Sequence, residues 1–148
     1  MNIKEFKCGF RFTDEKYAVL SEKELSEMSI IPYEIAKKEW IHICETETFQ
    51  MSKYIKDIIN HTAPVLIKDC FWGDDKNYTQ EKLLAFFNEI DADEIAIYYD
   101  SETALNVSSN VFCARWSDFC YPSDLNLIIT SSVMIVYYED IIYGPYDI

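Results

Sequence analysis

The sequence predicts one α+β domain over residues 1–148, with a mainly antiparallel sheet of four to five strands and helices packed on one face. Apolar residues recur with helical spacing through most of the chain before Asp91, whereas later segments alternate like strands joined by short turns. Helices first and strands later favour the α+β class over regular βαβ units. A chain of 148 residues with 49% hydrophobic content can bury one sizeable core but not two.

The N-terminal region is predicted to contain one strand and two helices. Phe6–Phe12 alternates apolar and polar residues, which suits a first strand. Ser21 and Glu24 form a capping box that opens a short helix near Glu22–Met28, and Pro32 stands near the first turn of the next helix. In that second helix we expect four residues to face inward and three to face water, namely Ile35, Ala36, Trp40 and Ile43 inward and Lys37, Lys38 and Glu39 outward.

The middle of the chain predicts helix, strand and helix in turn. The clearest helical period lies in residues 49–62, where the apolar positions follow i, i+3, i+4, i+7 and i+8: Met51, Tyr54, Ile55, Ile58 and Ile59. Residues 63–72 are strand-like. A polar loop then closes with Thr79 as the N-cap of another helix. The apolar face of that helix comprises Leu83, Leu84, Phe86, Phe87 and Ile90.

Strands dominate after Asp91. Residues 94–100 and 103–107 are predicted as two strands with a short turn between them, and residues 126–130 and 133–139 as a final hairpin. Between these pairs, helical spacing returns in a helix capped by Ser108 or Ser109, with one clustered side: Val111, Phe112, Arg115, Trp116 and Phe119. Gly144 and Pro145 interrupt the last segment, which we expect to lie along the surface.

The stretch WSDFCYPSD, residues 116–124, combines an indole, two carboxylates, a thiol and a phenol around one proline. Pro122 disfavours helical geometry at Tyr121, so the helix should end there, and Ser123 and Asp124 then turn the chain toward a strand. We interpret this stretch as a corner between helix and strand rather than a catalytic loop, and we expect Asp118 to face solvent.

Cysteine usage and hydropathy predict a cytoplasmic protein. The five cysteines include no closely spaced pair of the CxxC kind, which favours reduced thiols. The N-terminal residues are charged, unlike a secretory leader, and no apolar run approaches the ~18 residues that span a bilayer.

The acidic excess is concentrated in the last part of the chain. Residues 1–88 carry 15 acidic and 12 basic residues, whereas residues 89–148 carry 11 acidic residues and one base, Arg115. Such a surface repels nucleic acid and anionic membranes and attracts a basic protein. Solubility alone is the simpler explanation.

No metal ligand, cofactor site or catalytic residue is assigned. His42 with Cys44, and Cys113 with Cys120, fall short of the four ligands of a structural zinc site, and the free cysteines are expected in the core. His61 suits a helix C-terminus. The carboxylate groups fall in polar turns, away from the dry pocket that an acid/base pair needs: Asp74 with Asp75; Asp91, Asp93 and Glu94; Asp100 with Glu102; Glu139 with Asp140. Three isolated glycines rule out the usual nucleotide loops.

Large aromatic residues accompany these late acids, and tyrosine and tryptophan are frequent at interface hot spots. Because neighbouring strand residues face opposite ways, we expect one of Tyr98 and Tyr99, and one of Tyr137 and Tyr138, to point outward. The predicted partner-binding residues are Asp100, Glu102, Asp118, Tyr121, Asp124, Tyr138, Glu139, Asp140 and Tyr143.

The order of the motifs RFTDEKYAVLSEKELSEMSIIPYEIAKKEW, IAIYYD and VFCARWSDFCYPSDLNLII resembles small acidic bacterial proteins of the toxin-immunity type. The resemblance implies a protein that binds and silences a toxin domain. The acidic excess and the tyrosines of the last 60 residues favour a toxin with a basic surface, such as a nuclease. Two alternatives remain open. One is a housekeeping or regulatory interaction module without a toxin, and the other is a small enzyme that uses Cys120 or Asp118 beside Trp116.

Overall fold

A computed structural model describes residues 2–71 and 76–148. Within these residues the helices are α1 Phe10–Thr13, α2 Glu22–Ser26, α3 Tyr33–Cys44, α4 Lys53–Ile59, α5 Lys76–Glu89, α6 Ser109–Ala114 and α7 Trp116–Phe119, with 3₁₀ turns at Ile3–Glu5 and Phe49–Met51. The strands are β1 Met28–Ile30, β2 Val65–Ile67, β3 Glu94–Tyr98, β4 Ala104–Ser108, β5 Leu125–Ile129, β6 Val133–Tyr138 and β7 Ile141–Asp147. Among the described residues no helix is long and apolar enough to cross a membrane.

All of these strands join one sheet in the order β1-β4-β3-β5-β6-β7-β2, and every neighbouring pair is antiparallel. The predicted single α+β domain is confirmed. The predicted count of four to five strands is wrong, because the sheet has seven strands within the described residues. The strands that the sequence did not predict are β1, whose three residues are too few to show an alternation, and β7, which Gly144 and Pro145 interrupt.

Helices cover both faces of the sheet, which corrects the prediction that they pack on one face. One face is covered mainly by α5, α6 and α7, and the other by α3 and α4. The reason lies in the strands, because β5 places Leu127 and Ile129 toward α3 and α4 and the intervening Ile128 toward the opposite face. Consecutive apolar residues of this kind are typical of strands buried on both sides.

Covered faces also explain why the tyrosine of each pair that was predicted to point outward is only partly exposed. Tyr98 and Tyr137 are fully buried, one under each layer of helices, and Tyr99 and Tyr138 are half-buried. Alternation along a strand does reverse the direction of successive side chains, but here both directions lead into a core.

The N-terminal segment forms helical turns instead of the predicted strand at Phe6–Phe12. The 3₁₀ turn Ile3–Glu5 leads into α1, and Gly9 lies so close to the first turn that a Cβ there would stand 2.0 Å from the carbonyl oxygen of Ile3. Phe6 and Phe12 reach the core from these turns. An alternation of apolar and polar residues over seven positions is therefore compatible with helical turns as well as with a strand.

The predicted helices are confirmed in outline and shifted at their ends. Both hydrogen bonds of the Ser21–Glu24 capping box are present, but α2 ends at Ser26 and Met28 begins β1. Pro32 is the N-cap of α3. In α3 and α4 the predicted inward residues Ala36, Trp40, Ile43, Tyr54, Ile55 and Ile58 are buried, whereas Ile35, Met51 and Ile59 are exposed.

Helix α5 begins before Thr79, so the predicted N-cap is instead an internal residue. The Thr79 hydroxyl is buried and donates to the carbonyl oxygen of Cys70 at 3.1 Å. The predicted strand at 63–72 shortens to β2. The Asp74 and Asp75 pair lies outside the described residues, together with Trp72 and Gly73.

The C-terminal half follows the prediction except at its end. Strands β3 and β4 and the β5–β6 hairpin are confirmed, and Ser108 caps α6 by accepting from Val111 N at 3.2 Å. The predicted continuous helix breaks at Arg115 into α6 and α7. The last segment forms β7 inside the sheet, between β6 and β2, rather than a surface tail.

Candidate partner-binding surface at one end of the sheet

Three connections meet at one end of the sheet, which we call the turn end: the β3–β4 turn (residues 99–103), the α7–β5 corner (120–124) and the β6–β7 turn (139–140). The strand register brings them together, because Tyr98 pairs with Leu127, and Tyr138 pairs with both Leu125 and Ile141. Each of the three connections is joined to at least one strand at this end of the sheet. Eight of the nine predicted partner-binding residues lie at or next to it, and Asp118 lies on α7.

The α7–β5 corner is held by Arg11 from the distant N-terminal segment. The guanidinium donates to Asp124 through Nη1 at 2.5 Å and Nη2 at 3.0 Å, and Nη1 also donates to the carbonyl oxygen of Phe119 at 3.1 Å. Asp124 in turn accepts from the backbone N–H of Tyr121 at 3.0 Å. The Asp124 carboxylate is therefore engaged in hydrogen bonds within the corner, and little of it remains to contact a partner.

The guanidinium carbon of Arg11 lies over two aromatic rings, 3.9 Å from the centroid of Tyr121 and 4.8 Å from that of Tyr99. The Tyr99 hydroxyl donates to the carbonyl oxygen of Phe119 at 2.8 Å, so the same carbonyl receives both groups. Burial raises the pKa of Tyr99 well above its ordinary value. The corner is thus a rigid assembly of cation, rings and carboxylate.

Cys120 and Asp118, the residues of the enzymatic alternative, lie in environments that disfavour their charged forms. Cys120 is buried, and burial raises the pKa of its thiol well above the ordinary value. Burial also raises the pKa of Asp118, partly opposed by the Arg115 guanidinium at 3.9 Å. Asp118 was predicted to face solvent, and it does so only in part, since 26% of its side chain is exposed. A protonated thiol in the core is a poor nucleophile.

The β6–β7 turn uses two residues with positive φ, Glu139 at 49° and Asp140 at 65°, as in the tight turns that suit hairpin twist. The Asp140 carboxylate accepts from the backbone N–H of Phe71 at 2.7 Å, and its carbonyl accepts from Cys70 N at 3.0 Å. Asp140 therefore fastens the chain that follows β2. Glu139 is exposed beside it.

The β3–β4 turn presents Asp100 and Glu102 to two lysines. Lys7 donates to Asp100 at 3.2 Å, and Lys37 lies 3.7 Å from Glu102. Burial opposes ionisation of Asp100, but the backbone N–H of Glu102 and the ammonium of Lys7 outweigh it and lower the pKa. Exposed pairs of this kind contribute about 0 to 1 kcal/mol, so a partner's cations can replace the lysines at little cost.

Four of the predicted acids divide into two groups. Asp124 and Asp140 stabilise local structure, whereas Glu102 and Glu139 are exposed at the rim of the turn end. The three predicted tyrosines at this end are half-buried: Tyr121, Tyr138 and Tyr143. Each can offer part of a ring to a partner while packing with the rest.

Two residues beside the corner were not singled out by the sequence. Phe10 and Tyr17 are exposed and pack against each other, with ring centroids 5.0 Å apart, and Tyr17 stacks on Tyr121 at 6.4 Å. Their aromatic character was visible in the sequence. Their closeness to Tyr121 was not, because it depends on how α1 docks across more than a hundred residues.

A second set of acids lies at the opposite end of the sheet, near the start of β3. All of its members are exposed: Glu89, Asp91, Asp93 and Glu94. No ion pair to these four residues is found within the described part of the chain. They match the predicted solvated turn and provide an internal comparison for the acids of the turn end.

A groove of about 380 Å³ runs beside α3, away from the turn end. Its polar lining includes Glu39, His42, Glu45, Lys53 and Asp147. Cys44, two residues from His42, is instead buried, and burial raises its pKa to about 11. Across the described residues there is no group of three or more His, Cys, Asp or Glu side chains placed to hold a metal ion.

The chain matches no protein-family profile, no curated protein and no solved structure.

Proposed function

We propose that the protein is an immunity protein, which binds a toxin domain with a basic surface through the turn end of its sheet and thereby neutralises it. The observation that carries the proposal is the convergence of acidic and tyrosine residues from three separate connections at one end of a chain whose formal net charge is −13. A nuclease must attract phosphate, so its substrate-binding surface is basic. An acidic protein that covers this surface imitates the charge of the substrate.

The exposed acids and the half-buried tyrosines have different roles in this proposal. Glu102 and Glu139 attract the partner over a distance of about one Debye length, ~8 Å at physiological salt. Tyr121, Tyr138 and Tyr143 offer ring surface and hydroxyl groups at short range, as hot-spot residues do. Asp124 and Asp140 support the contact surface from below, because their carboxylates are engaged within the fold.

The proposal expects a toxin domain to be encoded directly upstream of this gene, and the test is co-expression of the two proteins in a bacterial host. We expect the wild-type protein to restore growth and to bind the purified toxin domain with an association rate that falls steeply as salt rises. Absence of protection contradicts the immunity function. Tight salt-dependent binding without protection would favour the regulatory interaction module instead.

A matched pair of charge reversals assigns the surface. Glu102→Lys with Glu139→Lys should slow association by about tenfold or more at low salt. Asp91→Lys with Asp93→Lys changes the net charge equally at the opposite end and should leave the rate within about twofold. Equal effects of the two pairs would show that net charge, rather than the turn end, governs binding.

A further inference from the structure

Phe10, Tyr17 and Tyr121 form an exposed aromatic surface beside the turn end, which we call the aromatic platform. Phe10 and Tyr17 are 44% and 53% exposed, and they lie next to each other rather than singly. The Phe10 ring stands edge-on to Tyr17 at 61°, and the rings of Tyr17 and Tyr121 are nearly parallel, at 21°. Three rings from two distant segments thus make one surface.

The platform is rigid because its innermost ring is supported from below. Tyr121 lies on the Arg11 guanidinium, which is fixed by two hydrogen bonds to Asp124 and one to Phe119 O. The turn that carries Tyr17 is closed by Tyr17 N donating to the Asp14 carbonyl oxygen at 2.9 Å. A preformed surface loses little conformational entropy on binding, which favours its use in recognition.

The charges around the platform favour a cationic occupant. Asp14 and Glu15 are exposed in the turn that carries Tyr17. Burial raises the pKa of Tyr121, the Arg11 charge opposes this shift, and the nearby carboxylates of Asp118 and Asp124 add to it. The Arg11 charge is compensated by Asp124, which leaves Lys16 as the exposed cation of that turn. Ring faces bordered by carboxylates attract guanidinium and ammonium groups.

We propose that the aromatic platform binds arginine or lysine side chains of a basic polypeptide segment, which lie over the exposed rings of Tyr17 and Phe10. This inference deepens the proposed function, on which it rests for the identity of the partner, since a basic toxin domain would supply the segment. A second copy of this chain is a poor occupant, because each copy carries a formal net charge of −13.

The test uses a peptide of alternating arginine and glycine, titrated into the full-length protein and followed residue by residue through amide NMR shifts. We expect the shifts to concentrate around Phe10, Tyr17 and Tyr121, with a lysine version binding more weakly and a glutamine version not binding. Tyr17→Ala and Phe10→Ala should each weaken binding by about three- to tenfold, whereas Tyr17→Phe should retain it. Both positions are exposed, so these variants are expected to fold.

Tyr33→Ala is the matched control, because Tyr33 is also 53% exposed but lies at the start of α3, outside the platform. It should leave the affinity unchanged. Equal losses for Tyr17→Ala and Tyr33→Ala, or shifts concentrated around Glu89 and Asp93, would overturn the proposal. Failure of this titration while co-expression still protects removes the platform alone, and peptide binding at the platform without protection removes only the immunity function.

Discussion

Replacing Asp124 by asparagine should destabilise the protein strongly, because it leaves the Arg11 charge buried without a counter-ion. The side chains of Arg11 and Asp124 are only 9% and 15% exposed, and they form a two-point ion pair. Removing one partner of a buried pair typically costs 3 to 5 kcal/mol. An asparagine oxygen can still accept one hydrogen bond, so we expect a loss of about 3 kcal/mol, a large part of the ~5 to 15 kcal/mol that stabilises a domain.

The assay is urea unfolding at neutral pH, monitored by tryptophan fluorescence. The unfolding free energies of the wild type and the variant are compared with the same dependence on urea concentration. Asp118→Asn is the control, because Asp118 lies 3.9 Å from Arg115 in a more exposed pair and should lose less than about 1 kcal/mol. Equal losses at the two positions would refute the reasoning.

A double variant separates the lost pair from the orphaned charge. Arg11→Met together with Asp124→Asn removes the buried cation and should be more stable than Asp124→Asn alone, as is observed when whole buried pairs are replaced by apolar groups. If the two substitutions add, the buried charge is not what destabilises Asp124→Asn.

The remaining predictions concern three local features. The Arg115 guanidinium and the Ser21 cap lower the pKa of Glu24 from 4.5 to about 2. The charge of Glu24 therefore stabilises the fold above pH ~4.5, and this contribution is lost as the pH falls toward 2. In urea unfolding at a series of pH values, the unfolding free energy of Glu24→Gln, which can keep the cap, should fall less over this range than that of the wild type. Gly144→Ala should cost about 2 kcal/mol in thermal unfolding, because φ is +121° and a Cβ would stand 3.0 Å from the Met134 carbonyl oxygen. Ser52→Ala should cost about 1 to 2 kcal/mol, since the buried hydroxyl accepts from Ile55 N and donates to Phe49 O, and Ser26→Ala, with an exposed bond, serves as its control.

Features that depend on neighbouring residues were predicted well from the sequence. The capping box needs only Ser21 and Glu24, and the β5–β6 hairpin needs only two apolar runs with a short gap. In both cases the signal and the structure lie within a few residues of each other. The same holds for the end of the helix before Tyr121, where Pro122 acts on its own neighbour.

Features that depend on long-range docking were not predictable in the same way. The pair of Arg11 and Asp124 joins positions 113 residues apart, so nothing near either residue announces it. The assignment of α3 and α4 to one face and α5 to the other is equally non-local. The candidate surface shows the same division, because the sequence identified Tyr121 but not the contact that Tyr17 makes with it.

The proposed binding at the aromatic platform would couple stability and recognition at the α7–β5 corner. Arg11 anchors α1 to the corner through Asp124 and Phe119 O, and the same guanidinium supports the ring of Tyr121 on which Tyr17 stacks. A partner that presses on the platform therefore favours the docked state of the N-terminal segment, and undocking of that segment removes the platform. Under the proposed function, we therefore expect substitution of Asp124 to weaken binding even if Asp124 makes no contact with the partner. A loss of affinity in an Asp124 variant would identify Asp124 as a contact residue only if the unfolding free energy of that variant were unchanged. We expect that free energy to fall, because the substitution leaves the buried charge of Arg11 without a counter-ion.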